Sequence, residues 1–238
     1  FPSDSITKEF LKKQEREKDW TLLKADEGAE YGKIIKINLD ELGPLVAKPH
    51  SPDNIDSIEN VKDIKVDQVC IGSCTNSSYE DLIVVSEIIK GKKVHPDVNL
   101  IIAPGSRQVL EMIASNGALS ELIKAGARIV ESACGFCIGA GHSPKSKGVS
   151  LRTSNRNFLG RSGTKDAEIY LVSQVVAAVS ALKGKLTNPD KTDIPKISSP
   201  DKYYIDDSMI LKPKIIDKVV KGPNIKELPE IPELAETL

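Results

Sequence analysis

No stretch of this chain reaches the roughly 18 consecutive apolar residues that a membrane-spanning helix needs. Residues 1–20 are charged and lack the apolar core of a secretory signal, so the chain reads as cytoplasmic. Cysteine is scarce, with four in 238 residues, too few and too clustered for a secreted disulfide scaffold. In a reducing compartment their spacing reads instead as metal binding or redox chemistry. An excess of charge is missing too. Lys and Arg number 33 against 34 Asp and Glu, a formal net charge of -1, which supplies no attraction for nucleic acid or an anionic membrane. Nor does the chain begin with Met, and Phe1 at its start reads as the end of a piece cut from something longer.

What is present is an ordinary globular composition, 39% hydrophobic and 28% charged. The length suits one substantial α/β domain with a terminal extension, or two small domains. Residues 5–20 read as a solvated helix capped at Ser5, and residues 33–39, Lys-Ile-Ile-Lys-Ile-Asn-Leu, as a strand. A Pro-rich loop follows through Pro49-His50-Ser51-Pro52-Asp53-Asn54. Beyond it a strand over 66–71 leads into a helix to about Lys90, with Ser77-Ser78-Tyr79-Glu80 as its capping box. The rhythm repeats with a strand over 98–103, the turn Pro104-Gly105-Ser106, helices over 108–115 and 119–125, and a strand over 128–130. Short strands over 150–153 and 168–172 and a buried helix over 173–182 complete it. This predicts a three-layer α/β domain over residues 1–185, a mainly parallel sheet with helices on both faces. Residues 186–238, rich in Pro, Lys, Asp and Glu, read as an irregular C-terminal arm or linker with one ordered patch at 203–211.

Three cysteines stand out. Cys74 lies in Gly72-Ser73-Cys74-Thr75-Asn76-Ser77-Ser78, at a strand-to-helix turn where amides and the helix dipole favour a thiolate. Cys134 and Cys137 form a Cys-x-x-Cys turn in Ala133-Cys134-Gly135-Phe136-Cys137. Three thiolates of this kind can hold an iron–sulfur cluster and leave one iron open to substrate. Zinc bound by the same three with His142 is the competing reading, and a thioredoxin-like dithiol another. Alone, Cys74 also reads as a small buried residue, and Cys70, inside an apolar strand, as core. The run Ser154-Asn155-Arg156-Asn157-Phe158-Leu159-Gly160-Arg161 places two guanidinium groups and two amides in one loop. That suits a di- or tricarboxylic acid, or equally an Arg pair making surface ion bridges.

Together these motifs resemble the aconitase family. Ile71 through Asp81, Ala133-Cys134-Gly135-Phe136-Cys137-Ile138-Gly139 and Ser154 through Arg161 are similar to its signatures, in the family's order. The resemblance covers most of residues 1–183. It implies the third, cluster-ligating domain of an aconitate hydratase-type hydro-lyase, with Cys74, Cys134 and Cys137 holding a [4Fe–4S] cluster. Asn155, Arg156 and Arg161 would contact cluster or substrate, in the reversible conversion of citrate to isocitrate through cis-aconitate. Ser106, in a Pro-Gly-Ser turn, is not assigned as base, because the family takes that serine from a separate swivelling domain. No complete catalytic set is therefore expected in this chain, which would be inactive alone and need the remaining domains in cis or trans. Isopropylmalate dehydratase and homoaconitase share the three-cysteine site, and a zinc-stabilised binding domain without catalysis is the reading from another class.

Overall fold

The structure, a computed structural model, describes residues 2–213. Contacts divide the chain into two units, residues 1–205 and 206–238.

In the first unit seven strands form one sheet: β1 (Leu45–Ala47), β2 (Ile55–Ser57), β3 (Gln68–Gly72), β4 (Asn99–Ala103), β5 (Arg128–Ile129), β6 (Val149–Arg152) and β7 (Glu168–Leu171). Their order is β2-β1-β7-β6-β3-β4-β5. β3 to β7 run parallel, and β1 and β2 add an antiparallel edge. Every residue of β3 is buried, as a central parallel strand covered on both faces must be. Alternate side chains sort to the two faces. Val69, Ile71, Leu100 and Ile102 join the main core, where α3 (Tyr79–Ile89) packs on both α5 (Ala118–Ala125) and α6 (Gln174–Lys183) and α6 packs on β3. Cys70, Ile101 and Ala103 point to the other face, against Phe136 and Cys137. That outer layer is thin, a 3₁₀ turn over Phe136–Ile138 within the long loop after β5. The three-layer α/β class is the one expected.

Several elements differ in detail. α1 (Ser5–Lys13) is capped by Asp4, whose carboxylate accepts from Thr7 N at 2.8 Å, rather than by Ser5, and it buries no residue. The cap of α3 is Ser78, not Ser77, with Asp81 rather than Glu80 closing the box. Ser77 is buried and donates to Ala103 O at 2.6 Å, pinning the end of β3 to that of β4. Residues 33–39 form no strand among the described residues, since a strand needs a neighbour to bond with and none lies alongside. The three-residue strands β1 and β2, flanking the Pro-rich loop, and the one-turn helix α2 (Ile58–Val61) after them carry too short a pattern to be read from sequence.

At its carboxyl end the first unit includes Leu186 and Tyr203, both buried. Of the second unit residues 206–213 are described, with a turn in which Ile210 N donates to Asp207 O. The rest of the expected arm, from residue 214, lies outside the described residues.

Candidate functional site

Chain order reverses within the sheet at β3. From β3 the chain steps outward through β4 to β5, then returns to lay β6 on the other side of β3 and β7 beyond it. The crevice at the carboxyl ends of β3 and β6 is thus a topological switch point, where open α/β sheets bind ligands.

Cys74 stands on the β3 side of that crevice, exposed. Gly72 (φ +136°) ends the strand so close to β4 that a Cβ would lie 2.3 Å from Ala103 O. Ser73 turns through φ +96°, an uncommon conformation for a residue with a side chain, and presents Cys74 outward. Thr75 N donates to Ser73 Oγ at 3.2 Å, and Thr75 Oγ1 lies 3.7 Å from Cys74 Sγ. A cavity of about 270 Å3 opens beside it, lined by Cys74, Thr75, Ser78, Ser106 and Gln108 and bounded by Phe10 and Tyr203. Ser106 is the N-cap of α4 (Arg107–Ser115), accepting from Val109 N at 3.1 Å, so its hydroxyl already has a structural task.

The β6 side carries the Asn/Arg loop. Thr153 Oγ1 both donates to Gly72 O and accepts from Gly72 N at 2.9 Å, and Asn76 Nδ2 donates to Thr153 O at 2.6 Å. Across the crevice Asn155 Nδ2 reaches Thr75 Oγ1 at 3.4 Å, which brings the Cys74 and Asn155 motifs together. Arg156 is exposed, with Nη1 on Asn155 O at 2.9 Å. Arg161 is half-buried, its guanidinium 5.7 Å from the Phe158 ring and its Nε buried without a partner. Asn157 is structural: Nδ2 donates to Lys48 O and Ile169 O, tying the loop to the Pro-rich segment. The Ser154 and Ser162 hydroxyls are also buried and unpartnered. Buried hydroxyls are ordinarily paired, so these are donors in want of an acceptor.

Cys134 is exposed and Cys137 buried, and all four cysteines are free thiols. Burial pushes the Cys137 thiol up to about 11, with Cys134 and, more weakly, Cys74 adding to the rise and Arg152 opposing it. Cys137 packs with Cys70 and Ala103 on the outer face of the sheet, at the strands β3 and β4. Cys70 is fully buried and likewise pushed to about 11 by burial.

Arg152, which the motifs do not include, holds the cysteine loop in place. It is 0% exposed at the end of β6, paired in register with Cys70. Its guanidinium donates to Phe136 O, to His142 O at 3.2 Å, to Gln68 Oε1 at 2.9 Å and to Ser150 Oγ at 3.1 Å. A loop leaving the distant strand β5 is thus drawn back across the sheet toward the switch point. The signal in the sequence was a charged residue inside the apolar strand pattern Val149-Ser150-Leu151-Arg152, immediately before the Asn/Arg motif. His142 lines a separate cavity of about 370 Å3 with Glu131, Ala133 and Phe136, and no cysteine lines it. Among the described residues no three His, Cys, Asp or Glu side chains are gathered as ligands of one metal ion, so the Cys/His zinc set is not assembled.

The aconitase family (aconitate hydratase) model matches residues 1–184. Among individual proteins, the 3-isopropylmalate dehydratase large subunit of Caldanaerobacter subterraneus is 43% identical over 194 residues, 81% of this chain and 46% of that protein. Those of Clostridium botulinum and Moorella thermoacetica are 44% and 41% identical over 191 and 192 residues, each covering 80% of this chain and 45% of the relative. The chain spans about half the length of the relatives it matches. These relatives overturn the expectation of an aconitate hydratase acting on citrate and isocitrate, and favour the isopropylmalate alternative. The motifs at Cys74, at Cys134 and Cys137 and in the Asn/Arg loop could not separate the two, because both expectations rest on the same residues. With the matched model covering most of its length and relatives above 40% identity, the chain belongs to the aconitase family.

Proposed function

We propose that this chain is the cluster- and carboxylate-binding half of a hydro-lyase of the 3-isopropylmalate dehydratase type. The observation that carries the reading is that the Asn155 loop meets the Cys74 turn at the switch point, while Arg152 and the Gly139–Ser162 approach hold the Cys134–Cys137 loop to the same side of the sheet. The donor set suits an iron–sulfur cluster: soft thiolates, one on a Gly/Ser turn and two from Cys-x-x-Cys, beside unpartnered buried hydroxyls that could donate to sulfide or thiolate. Cys74, Cys134 and Cys137 would hold the cluster, and when bound it would supply a Lewis-acidic iron free of protein thiolate.

The remaining work falls to this chain's own side chains. An isopropylmalate carries two carboxylates and one hydroxyl, and Arg156 and Arg161 offer two forks to receive carboxylates. Asn155, steadied by Thr75, orients the substrate beside Cys74. Phe158 under Arg161 and the Asn157 tether limit the freedom of the loop. No base is assigned in this chain, and the relatives' designation as large subunits supports a need for further domains or a partner subunit.

Anaerobic reconstitution with iron and sulfide tests the cofactor. About four irons and four sulfides per chain and a brown chromophore are expected, and a colourless chain holding one zinc would overturn it. For the substrate, this chain is placed in the Caldanaerobacter large subunit in exchange for the segment it matches, and the hybrid is assayed with its partner subunit. Dehydration of 3-isopropylmalate is expected; a folded hybrid that takes up the cluster yet dehydrates no 3-isopropylmalate would refute the assignment.

A further inference from the structure

Residues 33–39 carry the pattern of a strand and the surroundings of none. Ile35, Ile37 and Leu39 alternate with Lys36 and Asn38, so an extended chain presents an aliphatic face opposite one that mixes Ile34 with these polar residues, up to the 3₁₀ turn Leu39–Glu41 that Asn38 caps. Yet Ile34, Ile35, Ile37 and Leu39 are 71%, 71%, 66% and 77% exposed. Among the described residues, the backbone of residues 33–37 makes no hydrogen bond. An exposed, unpaired aliphatic strand invites pairing, and stable proteins keep such segments covered. The matched family model includes this stretch within residues 1–184, so it belongs to the shared module, while more than half of the relatives' length has no counterpart here.

We infer that residues 33–39 are a docking strand that adds to an open sheet edge in the half of the dehydratase absent from this chain. The occupant is defined by its chemistry: backbone N–H and C=O groups of an unpaired strand, flanked by aliphatic side chains that receive Ile35, Ile37 and Leu39. The polar Lys36 and Asn38 stay on the solvent side. Only eight residues separate Ile35 from Pro44, which leads into β1, so the docked strand would fix the partner half beside the antiparallel edge of the sheet. The inference rests on family membership and not on the choice of substrate.

Hydrogen exchange read by mass spectrometry tests it on three proteins: the full 238-residue chain, the Caldanaerobacter hybrid, and the unaltered Caldanaerobacter large subunit. Amides 33–39 should exchange freely in the chain alone. In the hybrid, and in the aligned stretch of the unaltered subunit, exchange should slow by at least about 100-fold. Ile35→Asp with Ile37→Asp should abolish the slowing in the hybrid while the amides of β3 stay protected. Free exchange at 33–39 in a hybrid whose β3 amides are protected would overturn the inference. So would free exchange of the aligned stretch in the unaltered subunit, which decides the question should the hybrid fail to fold. Protection in the lone chain accompanied by a dimer in sedimentation would also overturn it, showing that the strand pairs with its own copy.

Discussion

At the residue scale, burial and partnership separate cysteines that look alike in sequence. Cys70 is sealed in the sheet, and Cys74 and Cys134 are open to an incoming cluster. Cys74→Ser, Cys134→Ser and Cys137→Ser should each lower iron incorporation on reconstitution severalfold, whereas Cys70→Ala should retain it and lose only stability, as read by iron content and a denaturant melt. Arg152 acts through others. Removing it takes one of two donors from the Phe136 carbonyl, the His142 carbonyl and the Gln68 amide oxygen, which keep only Gly139 N, Gln68 Nε2 and Ser150 Oγ. Arg152→Met should cost roughly 3 kcal/mol of stability. It should also speed alkylation of Cys137 much more than that of Cys74, and Arg152→Lys should rescue little, because an ammonium cannot span the same spread of acceptors. Unchanged Cys137 alkylation in a folded Arg152→Met protein would refute the positioning role.

At the element scale, two loops meet where a side chain has no room. Gly139 closes the 3₁₀ turn with φ +81°, and a Cβ there would lie 2.2 Å from Ser162 O, in the segment just after Arg161. Gly139→Ala should therefore cost about 2 kcal/mol or more through the left-handed backbone and the clash. It should part the cysteine loop from the Arg loop, seen as faster hydrogen exchange at 136–142 with β3 unaffected. The helices were readable because their caps and aliphatic spacing are local; even so, the cap of α3 fell one residue from the expected place, since Ser77 is claimed by Ala103 O, a bond across strands that no local pattern reveals. The strand at 33–39 was readable as a propensity and absent as an element for the same reason in reverse, because its hydrogen-bond partners are not in this unit.

At the scale of the whole first unit, Tyr203 ties distant segments together. Its hydroxyl donates to Glu80 Oε1 at 3.2 Å, and its ring meets Phe10 edge to face with centroids 5.4 Å apart, so α1 and residue 203 both rest near the amino end of α3. Burial, with the Glu80 charge beside it, pushes the Tyr203 phenol from 10.0 up to about 12. A phenol raised in the folded state keeps its proton where the unfolded chain releases it, so its contribution is full below about pH 10 and lost as pH climbs to about 12. Tyr170, raised likewise by burial and by Glu168, acts in the same window. Tyr203→Phe should lower stability near neutrality by about 1 kcal/mol and flatten, without removing, the fall in Tm above pH 10. An unaltered alkaline slope would count against the assignment.

Local information settled a great deal: the alternation of strands and helices, the caps within a residue, and the three motifs that lead to the family, because propensity, periodicity and short-range hydrogen bonding act within a few residues. The substrate did not follow from those motifs, since both expectations for it rest on the same residues. Tertiary structure alone decided that β6 returns beside β3, which makes a switch point out of Cys74 and Asn155, and that Arg152 reaches from that strand to draw in a loop born at the far edge of the sheet. Those are contacts between residues well apart in the chain, paid in chain entropy and repaid only on folding, and their trace in the sequence is a lone arginine at the end of a short buried strand.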